Sequence, residues 1–511
     1  MTEEIVIGID LGTTNCVVAA LRGKRVELVP NELGNHLHPA VVYFQEDGQA
    51  VAGQRANLFR YVDPQNAIFS MNRLVGRTAN TPELSSTIES LPFLVEAGGD
   101  QPLVEVRGIH YTVPMVVSLL IKHLVLSAER HFSAPVKKAV VTVPANFSDK
   151  QRRGILKAGE LAGVEILRLL NAPSAAALAY GFGKSLESNI AIFDMGGGSF
   201  DTTVLHIRDK VFEVLATNGD SFLGGDDFDA ALMDILTEQL STQTDTKLGK
   251  GSLGRARLAG VCGAIKRQLS RRGNASGTID DFHGTESGKS LRFDVSRELF
   301  ERKIEGLVER SISLCEIALD CSGVANSFSD VVLVGGSTRT PLIRKRIRER
   351  LGFEPASGLN PDEAVAYGAA IYAEELARDK KDFSSYRSLL LEVAPRSLGA
   401  FTAAGATKII IKKNTPIPAV RTERFPVDGV TKEARTIGLS QGDANSFKGT
   451  EKIGSIVLGK MDESENTVDV TFTVGVNGTI EVTADDTKSA DISVAMVGIS
   501  NSSGENGRAR N

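Results

Sequence analysis

The sequence predicts two fold classes in succession, a large α/β region and then a smaller all-β module. Three observations lead to this. Through about residue 380, short apolar runs such as "IVIGID", "KAVVTVP", "NIAIFDM" and "DVVLVGG" alternate with long segments of helical periodicity. From about Glu392 the helical segments stop, and short strand patterns separated by turn signals take over. At 511 residues and 42% hydrophobic, the chain can fill more than one core.

The four apolar runs carry almost no polar residue, as expected of strands covered on both faces. "VPMVVSLLIKHLVLSAERHF" and "RELFERKIEGLVERSISLCEIALD" repeat apolar residues at helical spacing. The stretch 378–388, "RDKKDFSSYRS", is charged and without period, and reads as an exposed connector ahead of Leu389, Leu390 and Leu391. Beyond it, "TKIIIKKNTPIP" and "EKIGSIVLG" are strand patterns. In "VDVTFTVGVNGTIEVTA", Val468, Val470, Phe472 and Val474 alternate with polar residues, and Asn477-Gly478 predicts a two-residue hairpin turn returning through Ile480 and Val482. The expected units are residues 1–380, a linker 381–391, a β-domain 392–499 and a disordered tail 500–511.

Composition narrows the function. A net charge of −5 argues against a general binder of nucleic acid or of membrane surfaces. The acidic start "MTEEIVIGID" runs directly into a strand and lacks the form of a signal peptide. "MVVSLLIKHLVLS" is interrupted by Lys122 and His123 and is too short to cross a bilayer. Cys16, Cys262, Cys315 and Cys321 form no CxxC pair, which fits a reduced, cytoplasmic setting. His36 and His38 are the only close histidines, and they read as part of a solvated loop.

The chemistry concentrates in glycine turns flanked by acids. "IFDMGGGSFDTTVL" places Asp194, Gly196, Gly197, Gly198, Ser199 and Asp201 at one strand–turn–strand junction. "VIGIDLGTTNCVVAAL" repeats the plan with Asp10, Gly12, Thr13 and Thr14. Backbone N–H groups without side chains can approach a phosphate, and nearby carboxylates can manage a metal ion. Two such hairpins point to two related halves sharing a cleft. "VVLVGGSTRTP" adds Gly335, Gly336, Ser337 and Arg339, whose guanidinium could stack on a purine. "TNGDSFLGGDDFD" adds Gly224 and Gly225 before Asp226, Asp227 and Asp229, which alone would read as a capped, solvated helix start.

Taken together, "GIDLGTTNC", "VVTVPANFSDKQR", "NAPSAAALAYG", "IFDMGGGSFD", "FLGGDDFD" and "VVLVGGSTRTP" resemble the actin and sugar-kinase superfamily. Within it they are similar to the signatures of heat-shock protein 70 chaperones. "SLLLEVAPRSLG" resembles that family's interdomain linker, with Glu392 as its acid. The resemblance spans residue 5 to about 500. It implies an actin-like two-lobed ATPase domain of duplicated ribonuclease H-like fold, followed by a β-sandwich that binds unfolded apolar peptide segments. It also implies ATP or ADP with Mg²⁺. Asp10, Asp194, Ser199 and Asp201 would then be catalytic, with Asp10 and Asp194 holding the metal through water. Gly12, Thr13, Thr14, Gly196 to Gly198, Gly224 and Gly225 would contact phosphates and ribose. Lys266, Arg267, Ser270, Gly335, Gly336, Ser337 and Arg339 would clasp the adenosine. Pro144, Arg152 and Arg168 match positions that pass the signal between domains. Arg168, Asn171 and Glu392 match positions where J-domain co-chaperones dock, and a nucleotide exchange factor would be a further partner.

The chain departs from that pattern where hydrolysis would be driven. Asn72 in "FSMNRLVGR" stands where relatives carry a lysine that positions the attacking water. Ala172 in "LLNAPSAAALAYG" replaces a glutamate that steadies the metal's water shell, and Gly263 replaces one that meets the ribose. Losing one preorganised donor typically lowers a rate about 10²–10³-fold. Losing an outer-shell partner costs about 10–100-fold. The expectation is ATP binding with slow hydrolysis. The sequence stops where the family's helical lid would begin, so fast peptide release is expected. Two other readings stand beside the chaperone. One is an ATP-binding pseudo-chaperone that regulates another chaperone; the other is a small-molecule kinase, against which the linker and β-domain argue.

Overall fold

The computed structural model describes residues 5–77, 82–98, 101–243, 248–249, 252–280, 290–325, 327–356, 358–378, 388–401, 407–426, 435–442, 451–458, 467–485 and 492–496. Most of the connector (379–387) and the tail from 497 onward lie outside these residues.

Two sheets of one plan organise the α/β region. In the first, Val6–Asp10 turns back antiparallel through Asn15–Arg22 to Arg25–Leu28, and also pairs in parallel with Lys138–Val143. In the second, Glu187–Met195, Phe200–Arg208 and Val211–Asp220 form the same meander, and Glu187–Met195 pairs in parallel with Phe328–Val334. Each Asp-Gly turn seen in the sequence is thus the first hairpin of one sheet. This is the actin-like, two-lobed architecture.

The alanine-rich helices Ala172–Gly181 and Ala364–Ala377 lie between the sheets. Their Ala175, Ala176, Ala369 and Ala373 share a core with Val6, Val140, Ile190 and Leu205 of the flanking strands. Only small residues permit this approach. A methyl on Gly368 would sit 1.7 Å from the Ala175 carbonyl oxygen, and one on Gly8 would sit 2.2 Å from the Ala370 nitrogen. The outer faces are covered by Val113–Phe132 on the first lobe and Arg297–Ser322 on the second. Thr112 and Ser296 cap these helices by accepting from Met115 N–H and Leu299 N–H.

The β-domain packs a five-stranded sheet, ordered Thr407–Ile411, Ser397–Phe401, Arg435–Gly442, Glu451–Leu458 and Ile492–Met496, on Ala419–Pro426, Thr467–Val474 and Ile480–Asp485. Leu398, Leu439 and Ile456 of one sheet meet Phe425, Val470 and Phe472 of the other.

Two local readings need correction. The turn after Val474 is not a two-residue loop. Gly475 and Thr479 are bonded across it, Gly478 N–H bonds to Gly475 O, and Gly478 takes φ +69° while Asn477 stays out of the left-handed region. This is a three-residue loop ending in a left-handed glycine. His38 is not solvated: it is fully buried, with Nε2 3.0 Å from Val29 O, while His36 reaches Glu363. Pairing of His38–Pro39 with Asn15–Arg22 draws that loop into the first sheet.

The three leucines after the connector become a strand. Leu389–Val393 joins the second sheet, with Leu389, Leu390 and Leu391 parallel to Val211, Phe212 and Glu213. Leu390 enters the core, and Glu392 and Val393 pair onward with Ile417 and Pro416 of the β-domain. The second lobe and the β-domain therefore share one continuous sheet.

Candidate functional site

The glycine loops meet in one place. Gly225 N–H and Asp226 N–H donate to Gly196 O and Gly197 O at 3.0 and 2.7 Å, and Ser337 Oγ donates to Gly196 O at 2.8 Å. A methyl on Gly335 would lie 2.3 Å from Met195 O, and one on Gly224 would lie 2.5 Å from Gly197 O. Glycine is required at both because backbone packs directly on backbone. Gly12 closes the opposite hairpin, where a methyl would meet Asn15 O at 2.2 Å.

Three carboxylates lie at the base of these loops. Asp194 and Asp201 face each other across the Glu187–Met195 and Phe200–Arg208 pair. Asp10 accepts from Thr142 Oγ1 at 3.0 Å, and Asp201 accepts from Asn146 N–H at 3.1 Å. Burial pushes Asp10 up to about 6 and Asp201 up to about 7. Asp194 is raised well above the carboxylate range, by burial first and then by the charges of Asp201 and Asp10. A concentration of hard oxygen donors, each penalised for carrying charge, is what a Mg²⁺ ion with its water shell would relieve.

Lys266, Arg267 and Ser270 lie near the end of helix Leu253–Leu269. Lys266 Nζ donates to Gly225 O at 2.6 Å and Asp229 at 2.9 Å, and Ser270 Oγ donates back to Lys266 O. The Arg267 guanidinium lies 3.6 Å from where a side chain on Gly263 would start, leaning over the place of the missing glutamate. Arg339 is held by Asp362 at 2.6 and 3.0 Å and by Asn360 at 2.8 Å.

Asn72 is buried and donates to Leu11 O at 2.7 Å, so its amide braces the first hairpin. Its neighbour Arg73 reaches across the cleft. Nε donates to Gly198 O at 2.9 Å, and both Nη groups meet Asp227 at 3.2 and 2.5 Å. Ser70 and Thr14 donate to Asp226 at 3.0 and 3.5 Å. The acids of "GGDDFD" are therefore not a solvated helix start. Asp226 and Asp227 tie one lobe to the other, whereas Asp229 meets Lys266 within the second lobe, and the sequence contained no signal for either pairing.

This closure leaves little room. A methyl on Gly197 would fall 1.9 Å from Thr14 Oγ1, and one on Gly198 would fall 2.5 Å from Thr13 Cγ2. The two hairpins touch where phosphates would lie. The donor set suits Mg²⁺ and a nucleotide.

The Hsp70 protein family model matches residues 6–508. The chain belongs to the Hsp70 family. It is a chaperone of the Hsp70 type, and among the described residues no helix is long and apolar enough to cross a membrane.

In this Hsp70 the β-domain bears on both lobes. Arg152 is buried, and burial pushes it down to about 10. It donates to Phe147 O, Ala145 O and Asn171 Oδ1, and to Asn477 O of the β-domain at 3.1 Å. Asn477 Oδ1 accepts from Leu169 N–H at 3.0 Å, and Asp149 accepts from Ile480 N–H at 2.7 Å. Arg168 meets Glu392 at 3.1 Å. On the second lobe, Thr217 N–H donates to Asn414 Oδ1 and Lys413 Nζ to Asn218 Oδ1, each at 3.1 Å. Of these residues the sequence singled out Arg152, Arg168, Asn171 and Glu392. It missed Asp149, and it marked Asn477 only as a turn residue, which concealed a second role.

Proposed function

We propose that this chain is a nucleotide-gated Hsp70 chaperone. It binds ATP with Mg²⁺ between its lobes, hydrolyses it slowly, and couples nucleotide state to capture of extended apolar peptide by the β-domain. The observation that supports this most is Leu389–Val393. One short strand is paired to the second lobe while its Glu392 reaches Arg168 of the first, so any change in lobe angle acts on the β-domain.

When bound, Mg²⁺–ATP supplies the phosphoanhydride. The chain's part is to align it with the amides of Gly196 to Gly198 and the acids Asp10, Asp194 and Asp201. Slow turnover follows from Asn72, whose amide is spent on Leu11 O, and from Ala172, which offers no carboxylate. A J-domain protein would act on the undocked chain, because Asn171 and Glu392 are buried here.

The test is calorimetric titration of the full chain with ATP and ADP, with and without Mg²⁺, followed by single-turnover hydrolysis. The expected outcome is binding with slow turnover. Asn72→Lys with Ala172→Glu should raise the rate about 10²-fold. Failure of both nucleotides to bind would overturn the reading, and wild-type turnover at the rate of an ordinary family member would overturn its slow-hydrolysis part.

A further inference from the structure

We infer that Arg60 is a phosphate-binding residue of the cleft, a cation by which the first lobe grips the polyphosphate of the nucleotide. This rests on the ATP-binding reading above and adds to it a residue that no motif of the sequence marked.

Arg60 ends the short turn Leu58–Arg60, which follows Gln54–Asn57. Packing on either side fixes that turn. Phe59 stacks on Tyr43 with ring centroids 3.7 Å apart, and Asp63 accepts from Tyr43 Oη at 3.0 Å and from Arg107 at 2.9 Å. Asp63 N–H donates back to Phe59 O at 2.9 Å. Tyr61 packs on helix Leu253–Leu269 of the second lobe, where a methyl on Gly260 would lie 2.4 Å from its ring. Arg60 therefore sits where the lobes meet, beside the helix that carries Lys266 and Arg267.

The side chain turns into the cleft. Its guanidinium carbon lies 4.0 Å from the centroid of Phe69, which is in turn met edge-on by Phe93. Stacking holds the guanidinium plane and leaves its N–H donors at the rim of the ring. Arg60 and Phe69 line one cavity with Thr13 and Thr14 of the first hairpin and with Ser70 and Asp226, and Arg60 is the one cation in that lining. Its Nε is buried and has no partner among the described residues. A buried donor without an acceptor is destabilising, and a phosphate oxygen is an acceptor of the opposite charge.

Neighbouring charges are already matched. Arg73 is committed to Gly198 O and Asp227, Lys266 to Asp229, and Asp226 to Ser70 and Thr14. Asn72 offers no charge. Burial raises the Asp229 carboxyl, Lys266 opposes this most strongly, and Arg60 adds a weaker pull from across the cleft. Thr13 and Thr14 can offer a phosphate their hydroxyls, and Arg60 supplies the positive charge beside them.

The experiment is calorimetric titration of the full chain and of Arg60→Met with ATP, ADP and adenosine, each with Mg²⁺ present. Met keeps an unbranched side chain on Phe69 and removes the charge. ATP affinity should fall about 10–100-fold in the variant and ADP affinity should fall with it, while adenosine affinity changes by less than about twofold. A residue that merely propped the cleft would weaken all three alike. Arg60→Lys keeps the charge without the planar fork and should lose less than about tenfold for ATP. Should Arg60→Met not fold, Arg60→Gln carries the same comparison. The inference is overturned if folded variants bind ATP as tightly as wild type. It is equally overturned if ATP and adenosine weaken together, which is the result expected if Arg60 only pairs with an acid across the cleft. If wild type binds none of the three, the ATP-binding reading fails and this inference falls with it.

Discussion

Removing the charge of Glu392 should release the linker. Its side chain is 2% exposed, that of Arg168 is 12% exposed, and they meet through one charged hydrogen bond of 3.1 Å. Among the described residues, Glu392 Oε1 and Arg168 Nε have no other partner. The buried Arg152 guanidinium also feels the Glu392 charge. At an effective dielectric of about 20, unit charges at this distance attract by about 5 kcal/mol. Breaking one partner of a buried pair typically costs about 3–5 kcal/mol, because the other charge is left stranded. Glu392→Gln keeps the shape and deletes the charge, so docking should weaken by about 3 kcal/mol, a shift of roughly a hundredfold in the docking equilibrium. The assay is native-state hydrogen exchange at Leu389–Val393, read as an opening free energy. Arg168→Met with Glu392→Gln removes both charges, and should be milder than the sum of the single changes by at least about 2 kcal/mol. Strict additivity, or a loss below about 0.5 kcal/mol in Glu392→Gln, would refute the claim that this pair holds the linker.

Acid should loosen the first lobe through His123. Burial lowers it to about 4, against a weaker opposing pull from Glu32, and the neighbouring buried His38 is lowered too. The unfolded chain therefore binds protons first, so stability is full above about pH 6.5 and falls as pH drops toward 4. His123 contributes up to about 3 kcal/mol of that fall. Asp10 and Asp201 are raised and act in the opposite sense, so the check is the difference between wild-type and His123→Gln denaturant midpoints from pH 7 to 4. That difference should follow the stated window. Gly368→Ala should destabilise the chain by about 1–3 kcal/mol, since its new methyl meets the Ala175 carbonyl oxygen at 1.7 Å. Chemical denaturation measures this, and an unchanged midpoint would contradict the close crossing of the two central helices.

The sequence determined what depends on near neighbours. Four apolar runs specified buried strands because a two-sided strand has no place for polar side chains. The apolar period of "VPMVVSLLIKHLVLSAERHF" and "RELFERKIEGLVERSISLCEIALD" specified two long helices because residues three and four apart share one face. The glycines of 196–198, 224–225 and 335–336 announced close backbone approach, since no other residue leaves that space. The family resemblance was carried by the same local strings. Tertiary structure decided everything that depends on a distant partner. Asp227 looked like a helix start until Arg73, 154 residues away, closed on it. Asn477 looked like a turn residue until Leu169 and Arg152, more than 300 residues away, bonded to it. The leucines at 389–391 became a strand because the edge of Val211–Asp220 offered unpaired backbone groups. Whether the paired hairpins stand apart or touch was undetermined by the chain's order. A sequence fixes which donors and acceptors exist, but the packing of the lobes sets the separation at which they meet.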